Sequence, residues 1–229
     1  MNLIRVFSMM IALVTITAAL MGCSDCDEVD ALGNADYIGF IGDSIFDRNR
    51  DNCKDIGSQL SLLRGEYIEN RAVGGAQLTG GGPKSVEEQF YELMDESGDE
   101  IDIIIIMGGG NDILNNILVC GTVGCPDIID GIFETGYQLA EEAHSLGLEK
   151  LLYVGYEVGL PTYPFLGPIL NPMMDRMHDE HDDMGVEFLD TRGIYALVGD
   201  AMIDGYHPTP SGSRKYAEAI YDKLDELGW

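Results

Sequence analysis

Residues 101–107, Ile-Asp-Ile-Ile-Ile-Ile-Met, leave this chain few ways to fold. A β-branched run with almost no polar alternation needs apolar cover on both faces, and the structure that supplies it is a central parallel strand between two layers of helices. The run ends in Gly108-Gly109-Gly110-Asn111-Asp112, a break that no strand continues through. The rest of the chain alternates in the same sense. Tyr37–Ile41 reads as a first strand that turns at Gly42-Asp43-Ser44, and Glu66–Asn70 as a short second one closed by Asn70-Arg71-Ala72-Val73-Gly74-Gly75. Further strands are expected at Leu151–Tyr156 and Val186–Asp190. Between them fall helical patterns. One covers 51–64, with Ile56, Leu60 and Leu63 in phase behind an Asp51/Asn52 cap, and a polar helix over 84–97 carries Val86, Phe90, Leu93 and Met94 on one face. Helices follow at about 127–146, through the Met173, Met174, Met177 and Met184 segment, and at Ser211–Leu227, while a loop holds Pro161, Pro164, Pro168 and Pro172. Strand-helix alternation predicts a three-layer α/β/α sandwich around a roughly five-stranded parallel sheet with right-handed crossovers. Any site then belongs at the C-terminal ends of the strands.

That rule places Gly42-Asp43-Ser44, Gly74-Gly75 and Gly110-Asn111-Asp112 on one edge. Late in the chain Asp204-Gly205-Tyr206-His207-Pro208 precedes the last helix. A serine nucleophile needs a base within hydrogen-bond reach and a third group that holds the base in the right tautomer, and an Asp three residues before a His supplies both from one loop. Each piece also has a plain reading, since Asp and Ser are preferred helix caps and a polar loop before a helix is common.

Taken together and in order, these segments resemble the SGNH, or GDSL-type, hydrolases, whose motifs are a serine in Gly-Asp-Ser, a glycine after the second strand, an Asn in Gly-x-Asn-Asp and a final Asp-x-x-His. The four span residues 42–207. The resemblance implies a flavodoxin-like α/β/α fold of the SGNH-hydrolase type over residues 36–229. It also implies a carboxylic ester hydrolase with Ser44 as nucleophile, His207 as general base and Asp204 as the carboxylate that orients it. The oxyanion hole it implies is the N–H of Ser44, the N–H of Gly75 and the side-chain amide of Asn111. Gly75 is preferred to Gly74 because the family glycine lies about five residues after the asparagine that closes the second strand. Asp43 and Asp112 read as turn-ordering residues. No metal or organic cofactor is implied, and the substrate is a small-molecule or glycan ester.

The N-terminus carries its own signal. Arg5 precedes an apolar run from Val6 to Met21, the layout of an export signal, and Leu20-Met21-Gly22-Cys23 resembles the lipobox of bacterial lipoproteins. This predicts a signal peptide at 1–22, lipidation of Cys23, an acidic tether over 23–35, and a place in the cell envelope on the periplasmic or extracellular side of a membrane. An ordinary secretory signal and a short transmembrane anchor are the other readings of the same run. A net charge of -27 excludes nucleic acid as a partner and argues against electrostatic docking on anionic lipid. Of the remaining cysteines, the short loop from Cys120 to Cys125 favours a local disulfide and leaves Cys26 for Cys53. A zinc site would use the same four, but no CxxC pair is present. His178 and His181, beside Asp182 and Asp183, match neither zinc-helix motif and read as an acidic solvated face, with a metal-dependent hydrolase as the rival. A non-catalytic binding lipoprotein of the same fold is a second rival. His144 suits a helix C-terminus. Tyr163, Phe165 and Leu166, in the proline-rich loop, are equally suited to substrate contact and to loop packing.

Overall fold

The structure, a computed structural model, describes residues 26, 29, 32, 37–80, 84–98, 100–118, 125–158, 166–195, 198–201 and 204–229. Five strands form one parallel sheet: β1 (Tyr37–Ile41), β2 (Ile68–Asn70), β3 (Ile101–Ile106), β4 (Lys150–Val154) and β5 (Glu187–Leu189), in the order β2-β1-β3-β4-β5. The helices are α1 (Ser44–Asp47), α2 (Ile56–Arg64), α3 (Val86–Ser97), α4 (Gly110–Asn115), α5 (Pro126–Ser145), α6 (Leu166–Met184) and α7 (Pro210–Leu227). Strand order reverses between β1 and β3, so the chain leaves these two neighbours toward opposite faces and a crevice opens beyond their C-terminal ends.

The core follows from the sequence run that opened the argument. Ile103, Ile104, Ile105 and Ile106 are all buried, although successive side chains point to opposite faces, which requires helices on both. One cover is α2 with α7 packed along it; α3, α5 and α6 supply the other. Helix α3 sits so close to β1 that a Cβ on Gly39 would meet Leu93 Cδ2 at 2.4 Å. This helix starts with a full capping box between Ser85 and Glu88. It also delivers Gln89, whose amide accepts from the Gly42 N–H at 2.7 Å and donates to the Gly42 carbonyl at 2.9 Å. The buried Gly42 N–H thereby has a partner, and the Gly42 carbonyl, which also accepts from the Val73 N–H at 3.0 Å, gains a second donor.

Three local expectations change. The cap expected at Asp51/Asn52 is displaced to Asp55, whose side chain accepts from the Ser58 N–H at 3.1 Å. Residues Arg50–Asn52 instead form a separate 3-10 turn bounded by Asn49 at φ 71° and Cys53 at φ 51°, left-handed positions that no α-helix passes through. The proline-rich segment is partly helical: α6 begins at Leu166 and includes Pro168 and Pro172. A proline in the first turn sacrifices no helical bond, and Pro172 is carried inside a 19-residue helix whose Leu170, Met173, Met174 and Met177 are buried. Tyr163 and Phe165 lie outside the described residues. The Gly110-Asn111-Asp112 turn is itself the start of a helix, α4, too short for its periodicity to be read from sequence.

Candidate active site

The nucleophile candidate is placed by the end of β1. Gly42 is fixed by Gln89, and Asp43 then caps α1 by accepting from the Ile45 N–H at 2.9 Å. Ser44 becomes the first residue of that helix. Its Oγ lies 2.7 Å from His207 Nε2, and His207 Nδ1 lies 2.8 Å from Asp204 Oδ2. A carboxylate against Nδ1 fixes the proton there, which turns the Nε2 lone pair toward the Ser44 hydroxyl. Asp204 does more than orient the ring: its Oδ1 accepts from the N–H of His207 at 3.1 Å and of Tyr206 at 3.3 Å. Burial pushes the Asp204 carboxyl up, but the His207 ring and these backbone donors outweigh it and hold the group below its usual range. The loop is clamped from outside as well. Asn49 Nδ2 donates to the Pro208 carbonyl at 3.0 Å and to Ser213 Oγ at 3.1 Å, and the Tyr206 ring lies against His207 with centroids 4.2 Å apart.

The three oxyanion candidates meet beside this serine. Gly74 and Gly75 line the same groove as Ser44, Asn111 and His207. Gly74 donates its N–H to Asp47 Oδ2 at 3.1 Å, so that donor is spent, whereas Gly75 takes φ 83°, a left-handed turn that suits glycine. Asn111 Nδ2 donates to the Ala76 carbonyl at 2.9 Å, which aims its amide along the glycine turn and leaves a second N–H on the same nitrogen. Asp112 ties the two loops together by accepting from the N–H groups of Leu78 and Thr79, each at 2.9 Å.

A connection between the serine turn and the asparagine turn runs through Tyr156, just beyond β4. Its hydroxyl donates to Asp43 Oδ2 at 2.7 Å and accepts from the Gly110 N–H at 3.1 Å. A Cβ on Gly110 would meet the Tyr156 ring at 2.8 Å, so only glycine lets the ring this close. Neither Tyr156, Gln89 nor Asn49 announces itself in the sequence. The position of Tyr156 at a strand C-terminus is the one signal that marks it. Burial pushes Asp43 up to about 6, against the pull of the Ile45 N–H and the Tyr156 hydroxyl.

Other sequence candidates are placed as follows. Cys26 is disulfide-bonded to Cys53, and Val29 is buried, so the 23–35 segment is held to the domain at these points. Cys125 is disulfide-bonded too, while Cys120 and Cys23 lie outside the described residues. His178 and His181 pack against Phe188 near the end of α6 that feeds β5, and His181 Nδ1 faces the His178 carbonyl at 2.9 Å. Among the described residues, no group of three or more His, Cys, Asp or Glu is arranged to hold a metal. Both ring nitrogens of His144 face carbonyl oxygens, of Leu148 at 2.8 Å and Gly185 at 3.1 Å, which joins the ends of α5 and α6.

Two outcomes follow from the buried connection. Tyr156→Phe removes the hydroxyl between the two turns. Steady-state kinetics should give a kcat lowered roughly 10-fold with KM little changed, because misplacement of catalytic groups is costly, and urea unfolding should give a loss of about 1–3 kcal/mol. The second concerns pH. Folding raises the Asp43 pKa from 3.8 to about 6, so the folded chain holds this proton more tightly than the unfolded one. The associated stability is complete below the unfolded value and is lost as pH rises through about 6. Asp43→Asn cannot titrate, so between about pH 4 and 7 the unfolding free energy of the natural chain should fall relative to the variant by on the order of 3 kcal/mol.

Residues 40–215 match the model of the GDSL-like lipase/acylhydrolase family. None of the curated proteins matches the chain. Among solved structures, the chain is similar to a lipase from a goat rumen metagenome (TM-score 0.60, 14% identity, covering 82% of this chain and 97% of that one). It is also similar to an α/β hydrolase from the metagenome of Lake Arreo, Spain (TM-score 0.61, 18% identity, 86% and 96% covered). A third is a catalytic mutant of an acetylxylan esterase from Geobacillus stearothermophilus (TM-score 0.59, 18% identity, 86% and 96% covered). At these identities the likeness speaks for the fold, and it is the family model, spanning most of the sequence and every motif from Ser44 to His207, that places this chain in the GDSL-like lipase/acylhydrolase family of ester hydrolases.

Proposed function

We propose that this chain is an exported, lipid-anchored serine ester hydrolase that works through an acyl-enzyme on Ser44. The observation that carries the reading is the relay of 2.7 Å from Ser44 Oγ to His207 Nε2 and 2.8 Å from His207 Nδ1 to Asp204. His207 takes the hydroxyl proton as Oγ attacks the ester carbonyl. Asp204, held ionised, stabilises the imidazolium that forms. The N–H groups of Ser44 and Gly75 and the Asn111 amide receive the oxyanion, and fixed donors of this kind each contribute about 10²–10³ in rate. His207 then returns the proton to the departing alcohol, and water repeats the sequence to free the acid. A structural relative that is an acetylxylan esterase supports a glycan ester as one class of substrate.

The envelope reading rests on the sequence: a signal peptide at 1–22 and a lipid on Cys23, with 23–35 leading to the domain. The Cys26–Cys53 disulfide gives that reading a geometric consequence. Cys26 lies three residue steps after Cys23, a reach of about 11 Å at full extension. Cys53 adjoins the Arg50–Asn52 turn at the groove rim. A lipid on Cys23 therefore keeps the rim of the active site close to the membrane surface rather than at the end of a free tether.

Ser44→Ala should lower kcat on a short-chain aryl ester by at least about 10³-fold, abolish labelling by a fluorophosphonate probe and leave the unfolding midpoint nearly unchanged. Retained turnover would end the nucleophile assignment, and a folded natural chain that never labels would favour a binding protein. Separately, Cys23→Ala should move the protein from the membrane to the soluble fraction and remove incorporation of radiolabelled palmitate. An unchanged distribution would refute the anchor.

A further inference from the structure

The chain makes a detour between α1 and α2. Asn49 and Cys53 both take left-handed backbone, at φ 71° and 51°, on either side of the Arg50–Asn52 turn. Asparagine tolerates this conformation because its short side chain bonds locally, whereas an ordinary side chain is strained there. Cys53 is therefore the residue of the turn that has to be held. Its N–H donates to the Arg50 carbonyl at 2.8 Å, its carbonyl accepts from Gln59 Nε2 at 3.3 Å, and its sulfur is bonded to Cys26. The next residue closes the turn, because the Lys54 N–H donates to the Asn49 carbonyl at 3.1 Å. That bond spans Cys53 and lasts only while Cys53 keeps its conformation.

The turn presents the Asn49 amide. Its nitrogen spends both N–H groups near the far end of the chain, one on the Pro208 carbonyl and one on Ser213 Oγ, a fully buried acceptor. Proline turns the first of these bonds into a hold on His207. Its ring fixes φ of Pro208 and biases His207 away from helical backbone, so few soft torsions separate the held carbonyl from the imidazole. Other restraints shape the loop itself: the Ala201–Pro208 bridge, the Asp204 oxygen that accepts from the Tyr206 and His207 N–H groups, and the Tyr195 hydroxyl that donates to the Tyr206 carbonyl at 3.2 Å. None of these reaches the serine. Among the described residues, the hydrogen bonds from segment 43–49 to residues 204–213 are the two from Asn49 and the Ser44–His207 bond itself. That last bond breaks and re-forms in each catalytic cycle, so the spacing of base and nucleophile is left to Asn49.

We infer that Asn49 is a positioning residue for His207 and that the Cys26–Cys53 disulfide keeps it in place, so that turnover is sensitive to thiols. This rests on the ester-hydrolase reading. Cys26 and Cys53 are both partly exposed, within reach of a small dithiol. The reductant passes two electrons and two protons to the sulfur pair as its own two thiols join in a disulfide, and Cys26 and Cys53 separate as thiols. Cys53 then gives up its left-handed backbone, the bond from Lys54 to Asn49 opens, and the amide no longer meets Pro208. Ser44, His207 and Asp204 stay chemically intact, so the loss is one of geometry and falls on kcat.

Turnover of a short-chain aryl ester, normalised to the final extent of fluorophosphonate labelling, reads the effect per folded site. Asn49→Asp keeps the shape and the left-handed tolerance but replaces the donor by an acceptor. It should lower kcat roughly 10-fold with KM little changed, and Asn49→Ser, too short to reach, should do the same. Cys26→Ser cuts the disulfide without touching the turn and should lower kcat about 3- to 10-fold. The double variant Cys26→Ser with Asn49→Asp should be no slower than the slower single one, because both act through one contact. Dithiothreitol should reproduce the Cys26→Ser effect in the natural chain and add nothing to it in Cys26→Ser, which separates this bond from the one at Cys125. An undiminished kcat in both Asn49 variants would overturn the positioning role. Single effects that multiply in the double variant, or dithiothreitol acting equally on Cys26→Ser, would overturn the link to the disulfide. A folded natural chain that turns over no ester would overturn the hydrolase reading and this inference with it.

Discussion

The site depends on one hydroxyl. Ser44 and Asn111 sit on separate strands' ends, 67 residues apart in sequence, and an oxyanion hole built from both works only if the two turns keep a fixed separation. The β1–β3 ladder stops short of both turns: its last pair is Ile41 with Ile106, followed by one bond from the Met107 N–H to the Ile41 carbonyl. Beyond that pair the distance is set by Tyr156, which holds the residue before Ser44 and the residue before Asn111 on one oxygen. The arrangement is a buried polar network in which each member has a partner, the condition under which such networks rigidify rather than destabilise. It also explains why a carboxyl group is tolerated at Asp43, which is 2% exposed. Its two bonds stand in for the water it has lost.

The network has meaning only at the point in the sheet where it lies. In the order β2-β1-β3-β4-β5, β1 and β3 are neighbours whose following segments depart toward opposite faces, so their ends are the one place where two loops diverge and leave a crevice. Every other participant reaches that crevice from a strand end. The Gly74-Gly75 turn follows β2, Tyr156 follows β4, and His207 comes from the loop before α7. That last loop lies outside the five-stranded sheet and is closed at its base by an antiparallel bridge between Ala201 and Pro208. Asn49 on one side and the Asp204 carboxylate on the other add to that bridge.

The strands and long helices were legible because their signals are periodic and repeated: the Ile101–Met107 run, the Met-rich face of α6 and the alternation of segments each restate one pattern several times. The Ser44, Asp204 and His207 arrangement was legible as a set of motifs in order, and the structure brings all three within hydrogen-bond reach. What stayed hidden is what depends on a single side chain far away in sequence. Gln89 lies on a helix that reads as polar and solvated, yet it is fully buried and closes the end of β1, 47 residues earlier. Asn49 reads as one more polar residue between two arginines. The helical start of the proline-rich segment was hidden for another reason: proline argues against a helix interior, and only the burial of Leu170 and the methionines beside it outweighs that local preference.

Charge closes the connection between pocket and surface. The chain carries 40 acidic residues against 13 basic ones, and most of the described lysines and arginines are engaged in ion pairs with them. The chain as a whole is therefore acidic beyond what these pairs neutralise, and the pocket beside Ser44 adds Asp43 and Glu157 to its lining. A neutral ester enters the crevice without electrostatic cost, but ester hydrolysis leaves a carboxylate beside Ser44. With Asp43 poised to ionise at about 6, product and pocket are of like charge at neutral pH, at short range and away from bulk water, where repulsion is least screened. The carboxylates beside Ser44 thus act on the reaction itself: they discriminate between the neutral ester that enters and the carboxylate that leaves.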